Sequence, residues 1–440
     1  MAAPARAVGA PPARAEGRWV FHLPYGWPLD GMFVAFGLWW VLGLHSFVWQ
    51  IMAVPLAYRL ISDRRALRVP RGFGIWLLFI IWNVLTIMAL PRSSQLIGFG
   101  YRLSLYLSAT VVFLFVYNAP RHLLPMRRIY GMAMAFWITV VVGGWLGVLV
   151  PNGAFPSFIE LALPGPTHSN DFVRELVHPQ FAQVQQFLGY PLGRPQAPFV
   201  YTNHWGSAFA ITTPIVLLGW AHVDATRSRL ALQLGLTAAL IPAIVSLNRG
   251  MFLSLGAALI YASARSGRMG ARARRALLAT VVLLVVLVAV TPLGQLAEDR
   301  QASQHSNEGR SILYEQAISM TAKSPLLGYG APQEVEGDLL LPPVGTQGQV
   351  WLVMVSHGFV GLALYIGFLV SLWRRTRHLA SANAVAHLLI LILLVQMFVY
   401  DLITAAHHVV FLVVAAALRD QHAADLEADL PPGQALEPVW

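Results

Sequence analysis

Cysteine is absent from this chain, and charged residues are scarce in it. With no cysteine among 440 residues, disulfide bonds, thiolate metal ligands and cysteine nucleophiles are excluded. Charged residues make up only 11% of the chain, whereas hydrophobic residues make up 57% and the mean hydropathy is +0.60. This balance lies far outside the range of soluble domains, so the composition indicates an integral membrane protein.

Several motifs of soluble enzymes are absent as well. The sequence has no P-loop, no glycine fingerprint for dinucleotides, no HExxH and no pair of histidines at a spacing that suits zinc. We therefore expect no cofactor and no metal. Any chemistry must come from ordinary polar side chains, and these gather between the apolar segments.

Apolar runs of membrane-spanning or nearly spanning length recur along the chain. Because a helix needs ~20 apolar residues to cross the hydrocarbon core, we expect an all-α fold with about twelve transmembrane helices. The organisation is then a disordered cytoplasmic arm (1–28), a polytopic membrane domain (29–418) and a cytoplasmic tail (419–440). The runs occupy about residues 29–44, 46–61, 73–90, 100–118, 129–150, 204–220, 230–246, 250–264, 276–293, 348–373, 384–400 and 403–418.

The basic residues indicate an orientation. Lys323 is the one lysine, so arginine supplies nearly all of the positive charge behind the formal net +10. Most arginines fall on the side of the spans that both termini share, and the positive-inside rule makes that side cytoplasmic. The arginine-rich, alanine-rich composition is typical of a GC-rich bacterial genome, so we expect a bacterial inner-membrane protein surrounded by lipids. Its charge reports topology and gives no sign of nucleic-acid binding.

Two long loops interrupt this series of spans on the predicted outer face. They cover residues 151–203 and 294–347, and loops of this length are uncommon unless they serve a function. The first is rich in proline and glycine and has a plausible amphipathic helix around residues 171–188. The second has a predicted helix from about Arg310 to Ala322 that ends at Ser324-Pro325. We expect the two loops to form a partly helical cap.

Arg249 lies in the short turn SLNRG (246–250) between two apolar segments. A guanidinium cannot be deprotonated and is costly in hydrocarbon, so an arginine held at a membrane surface often meets an anion. Reaching to the lipid headgroups or pairing with a carboxylate would explain Arg249 equally well. Arg310 and Arg194, each in one of the long loops, could likewise be solvated surface residues.

Four sequence features occur in order on the predicted outer face: Arg194 followed by YTNHWG (201–206), the SLNRG turn, Arg310, and PLLGYG (325–330). With these features the chain resembles the O-antigen ligase and polymerase superfamily of polysaccharide-assembly membrane proteins. The resemblance covers roughly residues 190–370. It implies a protein of about a dozen helices that acts on undecaprenyl-diphosphate-linked glycans.

The chain departs from the superfamily's pattern at one position. The resemblance implies a His-Asn element before the next span, with the histidine acting on the acceptor hydroxyl. Gly358 and Gly361 fit the glycines that follow, but Gln347 and Gly348 stand where His-Asn is expected. A glutamine cannot act as a general base near neutral pH. We take Gln347 and His305 as the catalytic candidates, while the other outer-face candidates are His204, Glu308, Glu334 and Glu336.

The chemistry that the resemblance implies is transfer or polymerisation of a glycan from a polyprenyl-diphosphate carrier to a glycan or lipid acceptor hydroxyl. Guanidinium groups bind phosphate oxygens in bidentate fashion, which makes Arg249, Arg310 and Arg194 the candidates for binding the diphosphate. Two alternatives remain open: a transporter or flippase for an amphipathic anion, and a catalytically silent assembly partner. The spans carry almost no midplane charge, which favours surface chemistry over transport.

Asp401, His407 and His408 form a further polar group near the predicted outer turn between the last two spans. A proton relay and structural hydrogen bonding at the interface are the two interpretations, and the position beside a turn favours the structural one.

Overall fold

The computed structural model describes residues 23–62, 67–165, 171–187, 190–222, 225–265, 305–335, 342–379 and 383–429. The described residues are mostly helical (73%) and have little sheet. The helices of the first half are α1 (Trp27–Phe33), α2 (Phe36–Leu42), α3 (Val48–Ser62), α4 (Phe73–Leu85), α5 (Leu96–Asn118), α6 (Met126–Leu149), α7 (Phe158–Ala162) and α8 (Asp171–Val177).

A single hairpin of two antiparallel strands in the described chain, β1 (Ala182–Phe187) and β2 (Tyr190–Pro195), separates these helices from the second half. The helices that follow are α9 (Thr202–His222), α10 (Thr226–Val245), α11 (Arg249–Arg265), α12 (His305–Lys323), α13 (Gln349–Thr376), α14 (Ala384–Gln396) and α15 (Ala405–Ala428). Two short 3-10 helices, Thr86–Ala89 and Ser93–Gln95, join α4 to α5.

Within the described chain, four helical segments are long and apolar enough by themselves to cross a membrane: Ser93–Asn118, Met126–Leu149, Thr226–Val245 and Gln349–Thr376. Shorter apolar helices accompany them at Phe73–Ala89 and Ala384–Gln396. The count of twelve spans stays a prediction, since the run at 276–293 lies outside the described residues.

The last helix, α15, is the centre of the helix bundle. Its residues from Ala405 to Arg419 are all buried, and it packs against α5, α9, α14 and α6. A helix that is apolar on every side requires such surroundings. It continues to Ala428, beyond the predicted end of the span at residue 418.

The two histidines of α15 form hydrogen bonds inside this bundle. His407 Nε2 lies 2.8 Å from the Tyr365 hydroxyl, and His408 Nε2 lies 2.8 Å from the Ser108 hydroxyl. Asp401 accepts a hydrogen bond of 2.9 Å from the backbone N–H of Ile403. These contacts support the structural interpretation of the three residues over a proton relay.

The first long loop differs from its prediction. The helix expected at 171–188 ends at Val177, and the chain then enters the hairpin, so the prediction was wrong beyond residue 177. Pro179 explains the end of the helix, because a proline disfavours helical backbone at the residue before it. In the second loop, α12 begins at His305 and ends at Lys323, next to the expected stop at Ser324-Pro325.

Candidate functional site

The SLNRG turn connects α10 to α11 and is held from three directions. The Ser246 carbonyl accepts a hydrogen bond of 2.8 Å from Arg194 Nε. Asn248 Nδ2 donates to the Thr202 carbonyl at 2.8 Å, and Asn248 Oδ1 accepts from the Tyr400 hydroxyl. Arg194 and Thr202 of YTNHWG, which precede their partners in the turn by 52 and 46 residues, therefore meet the turn at one place.

Two glycines permit this close packing. A Cβ on Gly206 would lie 2.0 Å from Asn248 Nδ2, and a Cβ on Gly250 would lie 2.6 Å from the Tyr400 ring. Neither distance is possible for a real side chain without displacement of a buried neighbour. The glycines of YTNHWG and SLNRG thus have a structural purpose, which is to let α9, α11 and the segment before α15 approach the turn.

The predicted arginines have different surroundings. Arg194 on β2 is 9% exposed, whereas Arg249, the first residue of α11, is exposed. The structure thus brings Arg194 to the turn that carries Arg249. Arg310 and His305 both lie on α12, but their side chains are outside the described part of the molecule.

The PLLGYG segment docks into a break in α13. At Gly358 the backbone has φ of 68°, which interrupts the helix. The exposed carbonyls of Val355 and Ser356 accept hydrogen bonds of 2.9 and 2.8 Å from the N–H groups of Tyr329 and Gly330. The segment therefore satisfies backbone groups that a broken helix would otherwise leave unbonded inside the protein.

A cavity of about 720 Å³ lies next to the residues that hold the SLNRG turn, because Asn203 and Val399 in its wall adjoin Thr202 and Tyr400. None of residues 246–250 lines the cavity itself. Its walls come from α5, the first long loop, the start of α9, the segment before α13 and the segment between α14 and α15. The polar residues that line it include His45, Tyr101, Arg102, Glu175, Gln183, Tyr201, Asn203, His204, Thr346, Gln347, Asp401 and Thr404. The β-hairpin serves both features, since Gln183 in the cavity wall pairs with Arg194 across the two strands.

Arg102 on α5 is the cation of this cavity wall. It forms neither a hydrogen bond nor an ion pair within the described part of the chain, although Asp401 and Tyr106 are near enough to affect its charge. Its guanidinium lies over Gly98, where a Cβ would be 3.3 Å from Nη1. Sequence reasoning missed Arg102 because it stands at the edge of an apolar run. A charged residue inside a span is itself a signal of function.

His204 faces the same cavity near two carboxylates. Burial disfavours positive charge on its ring, and the nearby Asp401 and Glu175 offset part of this effect. The Tyr201 ring makes an edge contact with His204 at 5.4 Å between centroids. Burial, with a smaller effect of Glu175, raises the pKa of the Tyr201 phenol, so this hydroxyl stays protonated and can donate a hydrogen bond.

Gln347 also lines the cavity, directly before α13. Its amide nitrogen donates to the Thr346 hydroxyl at 2.8 Å and to the Pro343 carbonyl at 3.3 Å. Its carbonyl oxygen is buried and has no hydrogen-bond partner among the described residues. Gln347 can therefore accept a hydrogen bond from a bound hydroxyl but cannot remove its proton.

His357, the residue directly before the break at Gly358, does not line the cavity. Its Nε2 lies 3.0 Å from Asn83 Nδ2 and its Nδ1 lies 2.8 Å from the Thr86 hydroxyl. Both ring nitrogens are thus used in packing α13 against α4. For the residues that the structure describes, no cluster of three or more His, Asp or Glu side chains could hold a metal ion.

The apolar helices and the polar cavity between them define an integral membrane protein with an enclosed polar site. Residues 234–366 match the family model described as O-antigen ligase. This match confirms the resemblance to the O-antigen ligase and polymerase superfamily, and it spans the SLNRG turn, α12, PLLGYG and the break in α13. The family indicates a glycosyl-transferring enzyme of cell-surface polysaccharide assembly. No curated protein matches the chain significantly.

Proposed function

We propose that this protein transfers or polymerises a glycan from a polyprenyl-diphosphate carrier onto an acceptor hydroxyl at the extracytoplasmic face of the bacterial inner membrane, with both termini cytoplasmic. The observation that carries the proposal is the cavity of about 720 Å³, which has Arg102, His204 and Asp401 in its walls and reaches the residues that hold the turn bearing Arg249. Such a cavity provides a cation for phosphate and an imidazole for a hydroxyl in one space.

The donor diphosphate would be bound by arginines. A diphosphate is a good leaving group, so its departure needs charge stabilisation more than acid assistance. Arg249 is exposed at the start of α11, and Arg310 lies on α12 within the family match. We assign both to the phosphate oxygens, which guanidinium forks bind in bidentate fashion. Arg102 would contribute a further cation from inside the cavity.

Arg194 would act mainly by positioning the turn. Its Nε–H is used by the Ser246 carbonyl at 2.8 Å, which fixes the backbone three residues before Arg249. Its charge would also add to the positive potential around the diphosphate. Loss of Arg194 would then weaken donor binding by displacing Arg249 as well as by removing charge.

The transfer itself forms one bond and breaks one bond. The acceptor oxygen attacks the anomeric carbon, the bond from that carbon to the diphosphate oxygen breaks, and its electron pair leaves with the diphosphate. The hydroxyl proton would pass to His204, whose ring burial keeps neutral and able to accept it, while Asp401 and Glu175 would offset part of the cost of the imidazolium. Gln347 would orient the hydroxyl through its carbonyl oxygen. His305 stays a proposed alternative base on α12.

The proposal is tested by incubating the protein in lipid nanodiscs with extracted polyprenyl-diphosphate glycan and candidate acceptors, followed by mass spectrometry. Wild type is compared with Arg249→Ala, Arg310→Ala and His204→Gln. We expect glycosylated acceptor with the wild-type protein and little or none with any of the three variants. Arg227→Ala is the matched control, because it removes an exposed guanidinium at the opposite end of α10.

Two results would overturn the proposal. If the carrier stays intact in wild type with several donors and acceptors, the protein is not a transferase of this kind. If the intact donor instead moves between the two leaflets of a vesicle, a transporter replaces the enzyme. Equal activity of Arg249→Ala and Arg227→Ala would show that Arg249 does not bind the donor.

A further inference from the structure

A side pocket of about 90 Å³ adjoins the central cavity. The two share a common wall formed by His45, Glu175, Gln183, Phe199, Val200 and Tyr201. Beyond this wall, the pocket is completed by Trp40 from α2 and by residues of the first long loop: His178, Pro179, Gln180 and Gln196. The sequence analysis named none of these five further residues as a site.

Two side chains of this pocket have buried polar atoms with nothing to bond. Trp40 is 6% exposed and His45 is 5% exposed. Trp40 Nε1 and both ring nitrogens of His45 lack a hydrogen-bond partner among the described residues. A buried polar group without a partner is destabilising by roughly 1–3 kcal/mol, so proteins rarely keep several together unless a ligand or water bonds them.

The protonation of His45 fits a neutral ligand. Burial, with a smaller effect of the neighbouring His204, lowers the pKa of His45 to about 3, so the ring is neutral at physiological pH. A neutral imidazole has one donor and one acceptor, and the amides of Gln183 and Gln196 also offer both. Hydroxyl groups, which donate and accept at once, are the natural partners of such a set.

The rest of the lining also favours a sugar over an anion. Among the described residues its lining includes no lysine or arginine, and Glu175 would repel a phosphate or a uronate. Trp40, Phe199 and Tyr201 supply the flat apolar surface on which the carbon face of a sugar ring can lie. A single water needs ~10–15 Å³, so the pocket of about 90 Å³ together with the adjoining central cavity leaves room for a sugar ring that lies partly in each.

The walls of the pocket are held rigidly from behind. His178 Nδ1 lies 2.7 Å from Glu160 Oε2, and Ser157 caps α7 while its hydroxyl donates to the Val177 carbonyl at 2.6 Å. The Trp40 ring packs edge-on against Phe155 at 5.4 Å between centroids. A pocket with fixed walls loses little entropy when it binds a ligand.

We propose that this side pocket is a sugar subsite that holds one uncharged pyranose unit through His45, Trp40 and the adjoining glutamines, next to the central cavity. This inference rests on the proposed glycan transfer for its biological meaning. The same hydroxyl chemistry is offered by a unit of the donor glycan and by a unit of the acceptor. In either case the subsite would select the sugar and set its distance from the reacting hydroxyl or anomeric carbon.

The first test measures binding alone, by saturation-transfer difference NMR on the full chain in nanodiscs. The probes are free glucose, galactose, mannose, rhamnose and N-acetylglucosamine at ~10 mM, a range suited to weak single-sugar sites. We expect a signal from at least one probe in wild type and about a tenfold loss in His45→Phe, which removes both ring nitrogens. His45→Gln should retain part of the signal, because its amide restores a donor and an acceptor.

Trp39, the neighbour of Trp40 in the sequence, provides the control for the binding test. Trp39 Nε1 donates to the Gly31 carbonyl at 2.9 Å and does not line the pocket, so Trp39→Phe should keep the signal that Trp40→Phe loses. Absence of any signal in wild type, or an equal signal in wild type and His45→Phe, would show that the pocket holds only water. Stronger binding of glucuronate than of glucose would also overturn the proposal.

The second test separates the two sources of the sugar and the two proposals. In the transfer assay, His45→Phe should raise KM for the acceptor if the acceptor fills the subsite, and KM for the donor if the donor does. If the protein binds sugar but transfers no glycan, the subsite proposal holds and the proposed function is refuted. If transfer occurs and His45→Phe leaves both KM values unchanged, the proposed function holds and the subsite proposal is refuted.

Discussion

The SLNRG turn and the nearby cavity differ in whether their buried polar groups have hydrogen-bond partners within the protein. In the turn, Ser246 and Asn248 are bonded to Arg194, Thr202 and Tyr400, and the buried groups find partners in the protein. In the cavity and its side pocket, the guanidinium of Arg102, the imidazole of His45 and the carbonyl of Gln347 have no such partners among the described residues. The two regions meet at the start of α9, where Thr202 bonds the turn and Asn203 lines the cavity.

This contrast distinguishes residues that hold the fold from residues that meet a ligand. A polar group already bonded inside the protein contributes stability, and its removal should lower the melting temperature. A polar group that faces a cavity without a partner contributes little stability, and its removal should change binding or rate instead. Each variant can be assigned to one region by comparing its melting temperature with its activity.

The largest effect is expected from Arg249→Ala, which removes an exposed cation from a turn that other residues support. We expect transfer to fall by ~100- to 1,000-fold, the range for loss of one charge-stabilising group in an active site. The melting temperature should stay at the wild-type value. Initial rates in nanodiscs and a thermal scan of the same sample provide the check, and a large loss of stability would place Arg249 with the structural residues.

Asn248→Ala should have the reverse profile. It removes two hydrogen bonds from a buried position and leaves the Thr202 carbonyl and the Tyr400 hydroxyl without that partner. We expect destabilisation of roughly 2–4 kcal/mol, visible as a lower apparent melting temperature at fixed scan rate. Thr237→Val, which removes an exposed hydroxyl bonded to its own helix, is the control and should melt like wild type. Unchanged melting of Asn248→Ala would contradict the role assigned to the turn.

Arg102→Gln tests the cavity wall. Since the guanidinium has no partner in the described chain, its removal should leave stability unchanged or slightly higher. Transfer should fall about tenfold, chiefly through a higher KM for the diphosphate donor, because a single phosphate contact of this kind contributes ~1.5 kcal/mol. Kinetics at varied donor and acceptor concentrations separate the effect on KM for the donor from the effect on KM for the acceptor. An effect confined to the acceptor would assign Arg102 to the other substrate.

The smallest effect concerns pH and His45. Its pKa is about 3 in the folded protein against an ordinary value of 6.5. Between these values the unfolded chain binds a proton that the folded chain excludes, so stability is full above pH 6.5 and declines as the pH falls. From pH 7.5 to 5.5 we expect wild type to lose ~1 kcal/mol more than His45→Gln. Melting curves at both pH values test this, and parallel curves would refute a buried neutral His45.

The sequence predicted the turn better than the cavity, for a physical reason. Arg249 stands out because a charge between two apolar runs is conspicuous, and PLLGYG does so because its glycines interrupt the pattern. His45 and Trp40 carry no such signal, and the charge of Arg102 is less conspicuous because it falls at the edge of an apolar run. Each stands at or within an apolar run, and what distinguishes them is the absence of a partner, which depends on long-range packing.

Local chain patterns also limited the prediction of the first loop. The alternating pattern at residues 182–187 is short and rich in glutamine, so it was predicted as part of an amphipathic helix. Pro179 is the signal that ends the helix before this segment. Counting back from Gly358 placed Gln347 before the next span, and it does lie there, in the cavity wall. The break at Gly358 could not be foreseen, since it depends on PLLGYG supplying hydrogen bonds from a distant segment.

The most direct test of glycan transfer is the stoichiometry of a single incubation of the wild-type protein in nanodiscs with purified donor and an isotopically labelled acceptor. Mass spectrometry would count free polyprenyl diphosphate and glycosylated acceptor in the same sample. One carrier diphosphate released for each glycan gained by the acceptor is the predicted result. Release of the diphosphate with no labelled product, or no release at all, would contradict the account.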